Sequence, residues 1–123
     1  MQSLSTTVDA GTVKWETVCA LGAIAPNTGV TALLGTEQVA IFRIGQTDEV
    51  YAVGNFDPFS KAFVMSRGIV GDRQGVLKVA SPIYKQNFNL KTGVCLDDET
   101  VTLPVYPARV TKNQIQIGAC SRT

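Results

Sequence analysis

The sequence contains no histidine among its 123 residues. Histidine is the usual general base, zinc ligand and physiological pH switch, so its absence excludes Ser-His-Asp and Cys-His catalysis. Acid–base chemistry would fall to carboxylates, lysine, tyrosine or cysteine. No GxSxG, GxGxxG or P-loop pattern occurs, so the common signatures of hydrolases and nucleotide-binding proteins are missing too.

Cysteine, net charge and long apolar runs are also scarce. The three cysteines, Cys19, Cys95 and Cys120, lie far apart without a CxxC pair, which favours apolar packing in a reducing compartment over disulfides or a zinc site. A net charge of +1 gives no electrostatic reason to bind nucleic acid. Because a bilayer-spanning run of ~20 apolar residues and a signal-peptide pattern are both missing, we expect a cytoplasmic protein that does not bind membranes.

Short β-rich runs, separated by glycine, asparagine, aspartate and proline, dominate the sequence. Their regular spacing predicts one all-β domain, an antiparallel sandwich or barrel, after a flexible N-terminal tail over 1–12. The predicted strands are 14–19, 29–34, 38–44, 50–55, 76–81, 84–90, 101–111, which two prolines interrupt, and 114–118.

The segment 56–75 is irregular and long for a connection inside a small β domain, which is often a functional feature. It contains Gly68, Gly71 and Gly75, whose spacing matches no phosphate-binding loop. Turns that require positive φ are the preferred explanation for these glycines. A short helical turn is predicted around 60–66.

Two segments, NFDPFSKA at 55–62 and SPIYKQNFNLKTG at 81–93, resemble the cluster-binding loops of the Rieske iron–sulfur domain. In that family the first loop reads Cys-x-His, and the second reads Cys-Pro-x-His before a Phe-Asp-Leu strand and a Thr-Gly turn. The resemblance covers about 13–118 and leaves 119–123 as a C-terminal tail. It implies a Rieske-like antiparallel β-sandwich or barrel.

The four ligand positions of that family carry other residues here. By the resemblance, the two cysteines correspond to Asp57 and Ser81, and the two histidines to Phe59 and Tyr84. A Rieske centre needs two thiolates on one iron and two imidazoles on the other. Phe59 has no lone pair, and oxygen donors suit a sulfide-bridged iron pair poorly. We therefore predict a Rieske-like fold that holds no cluster or other metal.

Longer phrases are similar to one family in particular, the small subunits of cytosolic NAD(P)H-dependent nitrite reductases. They are PNTGV at 26–30, VAIFR at 39–43, DPF at 57–59, SRGIVGD at 66–72 and ASPIYKQNF at 80–88. The resemblance implies a large partner subunit that carries FAD, a [4Fe–4S] cluster and sirohaem and reduces nitrite to ammonium. It implies no catalytic residue and no cofactor in this chain.

The residues at the ligand positions have more than one interpretation. Phe59 and Tyr84 could fill the space of a cluster and its imidazoles, or the Tyr84 hydroxyl edge could anchor a partner. Asp57 and Ser81, each followed by proline, are typical turn residues. The candidate partner interface consists of aromatic and cationic side chains in or near the loops: Phe56, Phe63, Arg67, Arg73, Tyr84 and Lys85.

Three other functions stay open. An electron carrier would need a cluster at the replaced ligand positions, and a cluster-free binding module would use the same fold for an unrelated partner. An enzyme built on Asp57, Tyr84 and Lys85 has only the proximity of the loops in its favour. The acidic run 97–99 is predicted to be a solvated hairpin tip, because three adjacent side chains cannot converge on one cation.

Overall fold

The computed structural model describes residues 13–120, which contain twelve β-strands and two short 3₁₀ helices, Leu21–Ala23 and Met65–Arg67. The strands are β1 (Val13–Ala20), β2 (Gly29–Leu34), β3 (Glu37–Ile44), β4 (Glu49–Gly54), β5 (Phe56–Asp57), β6 (Ala62–Phe63), β7 (Ile69–Arg73), β8 (Val76–Ala80), β9 (Asn87–Asn89), β10 (Val105–Tyr106), β11 (Ala108–Thr111) and β12 (Gln114–Cys120).

The strands form three antiparallel sheets and one separate ribbon. The first sheet has the order β1–β12–β11, the second β10–β4–β3–β2 and the third β7–β8–β9, while β5 pairs with β6. The predicted all-β antiparallel class is therefore confirmed. The predicted tail over 1–12 lies outside the described residues, and the boundary predicted at 118 falls inside β12, which continues to Cys120.

The central strand β3 is buried on both faces and divides the hydrophobic core in two. Val39 and Ile41 pack into a cluster with the first sheet, whereas Ala40 and Phe42 pack into a cluster with the third sheet. This split follows from the two-residue period of a strand. The first cluster also contains Leu21, Ile24, Leu34, Val50, Ala52, Ile115 and Ile117, and the second contains Val53, Met65, Val79, Phe88, Leu90, Cys95 and Leu103.

The segment 56–75 holds more regular structure than predicted, because β5, β6, β7 and a 3₁₀ helix all lie within it. The helical turn predicted around 60–66 lies later in the chain, at Met65–Arg67, because Ala62 and Phe63 form β6. The expectation of positive φ holds for one of the three glycines, Gly75 with φ 83°, and is wrong for the other two. Gly68 is instead required by close packing, since a Cβ there would lie 2.5 Å from the Ala80 carbonyl oxygen.

Two predicted strands are shorter than expected. The predicted strand 84–90 is reduced to β9, because the residues after Ser81 form a turn. The predicted strand 101–111 is divided into β10 and β11 on either side of Pro107, which has no N–H to donate to a strand ladder. Both differences concern the loops around the third sheet and the C-terminal strands, and they leave the core strands unchanged.

Candidate functional site

The first candidate loop is a tight ribbon that directs Asp57 inward. β5 and β6 pair Phe56 with Phe63 and Asp57 with Ala62, around a turn over 58–61. Successive side chains of a strand point to opposite faces. Phe56 is therefore exposed while its neighbour Asp57 is buried.

The Asp57 carboxylate links the two loops. It is 0% exposed, and it accepts the Phe59 N–H and the Ser60 hydroxyl hydrogen, both at 2.9 Å. The same carboxylate accepts the hydroxyl hydrogen of Ser81, which lies 24 residues later and is 1% exposed. The two positions that the resemblance assigns to cysteines are thus joined by a buried hydrogen bond.

Burial and hydrogen bonding have opposite effects on the Asp57 carboxyl group. Burial favours the neutral acid and raises the pKa, whereas hydrogen bonds from Ser81, Phe59 and Ser60 favour the carboxylate. The hydrogen bonds together outweigh burial, so the pKa of Asp57 is lowered. Asp57 is therefore ionised at neutral pH and is stabilised by hydroxyl and amide donors.

The second candidate loop follows β8 and turns back on itself. The Ser81 N–H donates to the Gln86 carbonyl oxygen at 2.9 Å and closes a loop over 82–85. Tyr84 is at the tip and is 62% exposed, and Lys85 adopts φ 66°. The loop therefore buries its first residue against Asp57 and presents its aromatic side chain to solvent.

The residues at the four ligand positions do not fit a [2Fe–2S] centre. Asp57 and Ser81 are hydrogen-bonded to each other, and Phe59 is half-buried with its ring centroid 6.1 Å from that of Phe88. Tyr84 points to solvent and is 62% exposed. None of the four residues is a cysteine or histidine, so none supplies the thiolate or imidazole that such a centre needs. In the described range 13–120, no group of three or more His, Cys, Asp or Glu side chains is placed to hold a metal ion.

The candidate interface residues have different surroundings. Phe56 and Phe63 pack ring against ring, with centroids 5.0 Å apart, yet they remain 39% and 56% exposed. Arg73 forms an ion pair with Asp97 at 3.3 Å, so its charge is partly committed within the chain. The remaining cationic residues of the set, Arg67 and Lys85, are exposed.

Asp97 contributes more to the structure than a solvated tip would. It accepts the Asn87 N–H at 2.8 Å and the Asn87 side-chain amide at 3.1 Å. The hydrogen bond from the Asn87 N–H is the main cause that lowers the pKa of Asp97, with burial opposing it and Arg73 adding to it. Asp97 is exposed, as predicted for the acidic run, and it also fixes the start of β9 through these hydrogen bonds.

A groove beside the β5–β6 ribbon was not predicted from the sequence. It has a volume of about 300 Å³ and is bordered by residues from three separate parts of the chain. No local pattern marks it, because its walls come together only in the folded domain. Its lining includes Glu37, Phe56, Pro58, Phe63, Pro104 and Tyr106.

Comparison with known proteins identifies the family. Residues 14–118 match the family described as the Rieske-like [2Fe-2S] domain. The nitrite reductase (NADH) small subunit of Escherichia coli strain K12 is 47% identical over 104 residues, which are 85% of this chain and 96% of that subunit. The chain belongs to the NAD(P)H nitrite reductase small subunits. The predicted family and its Rieske-like fold are thereby confirmed.

Two further relatives bear on this small subunit. The crystal structure of an NADH-dependent nitrite reductase small subunit from Mycobacterium tuberculosis is 54% identical, with a TM-score of 0.81 over 87% of this chain and 96% of that one. The nitrite reductase [NAD(P)H] large subunit of Klebsiella oxytoca is 39% identical over 104 residues, which are 85% of this chain and 11% of that polypeptide. The domain therefore occurs both as a separate chain and within a large subunit. Within residues 13–120, no helix has the length and apolar character to cross a membrane.

Proposed function

We propose that this small subunit works by contact. It binds the large subunit of a cytoplasmic NAD(P)H-dependent nitrite reductase and carries no catalytic residue and no cluster. The large subunit supplies FAD, a [4Fe–4S] cluster and sirohaem and reduces nitrite to ammonium. The observation that carries the proposal is the buried Asp57–Ser81 hydrogen bond, which occupies both thiolate positions with oxygen atoms that satisfy each other.

The large subunit is the partner that the relatives support. The Klebsiella oxytoca large subunit contains a region similar to this chain, so in that protein the domain is tethered to the rest of the polypeptide. A covalent tether raises the effective concentration of the domain near the rest of the large subunit. A separate small subunit has no tether, so it must bind through an interface of sufficient affinity. The small subunit accordingly needs a defined docking surface.

The loop tips are our proposed docking face. Phe56, Phe63 and Tyr84 are exposed aromatic side chains, a type that interface centres enrich. Arg67 and Lys85 are exposed cations near them in sequence. Arg73 is expected to contribute less to partner binding, because its guanidinium already forms an ion pair with Asp97.

Asp57 is not a usable base for an enzyme built on the same loops. Asp57 is fully buried, and its carboxylate already accepts hydrogen bonds from Phe59, Ser60 and Ser81. A general base must reach the proton that it removes. The arrangement therefore favours a structural task for Asp57 over a catalytic one.

The cluster-free assignment can be tested on the purified small subunit. We expect a colourless protein that retains neither iron nor acid-labile sulfide after anaerobic treatment with ferrous iron, sulfide and thiol. A cluster-bearing Rieske ferredoxin treated in parallel is the control. Stoichiometric iron and sulfide with visible absorption would contradict the assignment.

The partner assignment can be tested by capture. Tagged small subunit expressed in its own cells should recover a sirohaem-containing large subunit whose eluate oxidises NADH or NADPH on addition of nitrite. Capture of an unrelated protein without that large subunit would instead support a binding module for another partner and overturn the proposal.

A further inference from the structure

The groove beside the β5–β6 ribbon is held in shape by hydrogen bonds that its lining residues make with one another and with Ser66. The Asn55 side-chain amide donates to Gln38 Oε1 at 3.0 Å, and Asn55 Oδ1 accepts the Ser66 N–H at 2.8 Å. The Gly54 N–H donates to the Pro104 carbonyl oxygen at 2.9 Å. A preformed site loses less conformational entropy on binding than one that must be ordered.

The surface of the groove is largely apolar and poorly shielded from water. Phe56 and Phe63 lie on its border and stay exposed although they pack on each other, and Pro58 and Tyr106 also line it. Its volume is about 300 Å³. Displacing water from such a surface by an apolar group favours binding.

The charge of the groove restricts its occupant. Among the described residues that line the groove, Glu37 is the one carboxylate and none is a lysine or arginine; Glu37 is exposed at the start of β3. A carboxylate disfavours anions, so nitrite and the phosphates of a nicotinamide nucleotide are poor occupants. A polypeptide segment with an apolar side chain beside a lysine or arginine matches both the apolar lining and the carboxylate.

Resting on the proposed function, we propose that this groove receives an apolar side chain of the large subunit and that Glu37 pairs with a neighbouring cation of the same segment. The large subunit is the source because a similar domain is found inside a large-subunit polypeptide. Phe56 and Phe63 then belong to the anchoring part of the docking face. Glu37, Pro104 and Tyr106 are new members of that face.

The test measures the dissociation constant between purified small-subunit variants and the purified large subunit. Phe63→Ala and Glu37→Lys should each raise it about tenfold or more, as truncation or charge reversal at a central contact does. Glu37→Gln should raise it about threefold and flatten its dependence on salt, because an ion pair is lost. Ile69→Ala is the control: Ile69 is an exposed apolar residue on β7 outside the groove lining, so its change should stay within about twofold.

The outcomes separate this inference from the proposed function. If the unmodified small subunit binds and the Phe63 and Glu37 variants bind equally well, the groove is not the anchor site and the inference is overturned. If the unmodified subunit does not bind the large subunit at all, the proposed function fails and the inference fails with it. Phe63→Ala could weaken binding by destabilising the fold, which would show as a lower melting temperature. Glu37 is exposed, so its substitutions should leave the fold intact and test the groove directly.

Discussion

The two loops depend on individual side chains for their relative position. Asp57 accepts hydrogen bonds from donors in both loops, and its bond with Ser81 is buried from water. In a Rieske centre, ligands from the two loops converge on one cluster. Here a carboxylate and a hydroxyl group connect the same two segments of chain.

Asp57→Asn should lower the free energy of unfolding at pH 7 by about 1–2 kcal/mol, because a neutral amide replaces the charge-assisted hydrogen bonds. The lowered pKa of Asp57 determines the pH dependence. Its ionised form stabilises the fold above the unfolded pKa of about 3.9, and this contribution is lost as the pH falls through the lower folded-state pKa. The difference in unfolding free energy between wild type and variant should therefore shrink on acidification, measured by urea unfolding between neutral and strongly acidic pH.

Asp48→Asn, at an exposed turn, is the control for this measurement. A difference between wild type and Asp57→Asn that does not change with pH would contradict the prediction.

Phe59 and Tyr84 should differ sharply when each is replaced by alanine. Phe59 is half-buried against Phe88, so Phe59→Ala should lower the free energy of unfolding by about 2–3 kcal/mol. Tyr84 is exposed, so Tyr84→Ala should stay within about 0.5 kcal/mol. Urea unfolding of the two variants side by side tests this. Equal losses would mean that the second loop packs more tightly than its exposure indicates.

Among the secondary-structure elements, β7 and β8 depend on close approach of the backbone. A Cβ at Gly68 would meet the Ala80 carbonyl oxygen and lie 2.6 Å from Val79 Cγ2. At Gly71 in β7, the nearest atom to such a Cβ would be Lys78 Cε at 3.8 Å, an ordinary contact. The two glycines therefore have different roles although they are three positions apart.

Gly68→Ala should destabilise the domain by about 2–3 kcal/mol, since a rigid backbone carbonyl must move to admit the methyl group. Gly71→Ala is the matched variant and should be neutral within about 0.5 kcal/mol, because its methyl group has room and its φ is not positive. Thermal or urea unfolding distinguishes the two. A tolerated Gly68→Ala would show that β7 can shift away from β8 at little cost.

The strands that sequence patterns predicted well are those with a clear local signal. β3 contains a run rich in β-branched residues, and β12 alternates polar and apolar residues. Pro107 marks the interruption between β10 and β11. β5, β6 and β7 were missed because glycine, proline and short length hide the pattern in 56–75. The Asp57–Ser81 bond and the groove could not be predicted, since each joins residues from distant parts of the chain.

The whole domain is organised by the second sheet, which contributes to both hydrophobic clusters. Val39 and Ile41 contact the cluster of the first sheet, and Ala40 and Phe42 contact the cluster of the third. A strand that is shared in this way cannot leave one core without disturbing the other. The two clusters should therefore unfold together, as small single domains usually do.

Unfolding should appear as one transition to probes in different sheets. Trp15, the single tryptophan, lies in β1 with the Arg109 guanidinium 4.0 Å from its ring centroid, so its fluorescence reports on the first sheet. Its midpoint in urea should coincide with that of far-ultraviolet circular dichroism. Ile115→Ala in the first cluster should move both midpoints equally, with a loss of about 2–4 kcal/mol. An earlier fluorescence transition would show that the clusters are independent.

The hydrogen bond between Asp57 and Ser81 also bears on how the subunit matures in the cell. Its atoms are present as soon as the polypeptide leaves the ribosome, so under the cluster-free assignment folding does not wait for iron delivery or for sulfur-mobilising machinery. During iron starvation, newly made copies would reach their final shape at the normal rate, while the large subunit, which we propose carries the iron cofactors, falls behind. Unassembled small subunit should then accumulate.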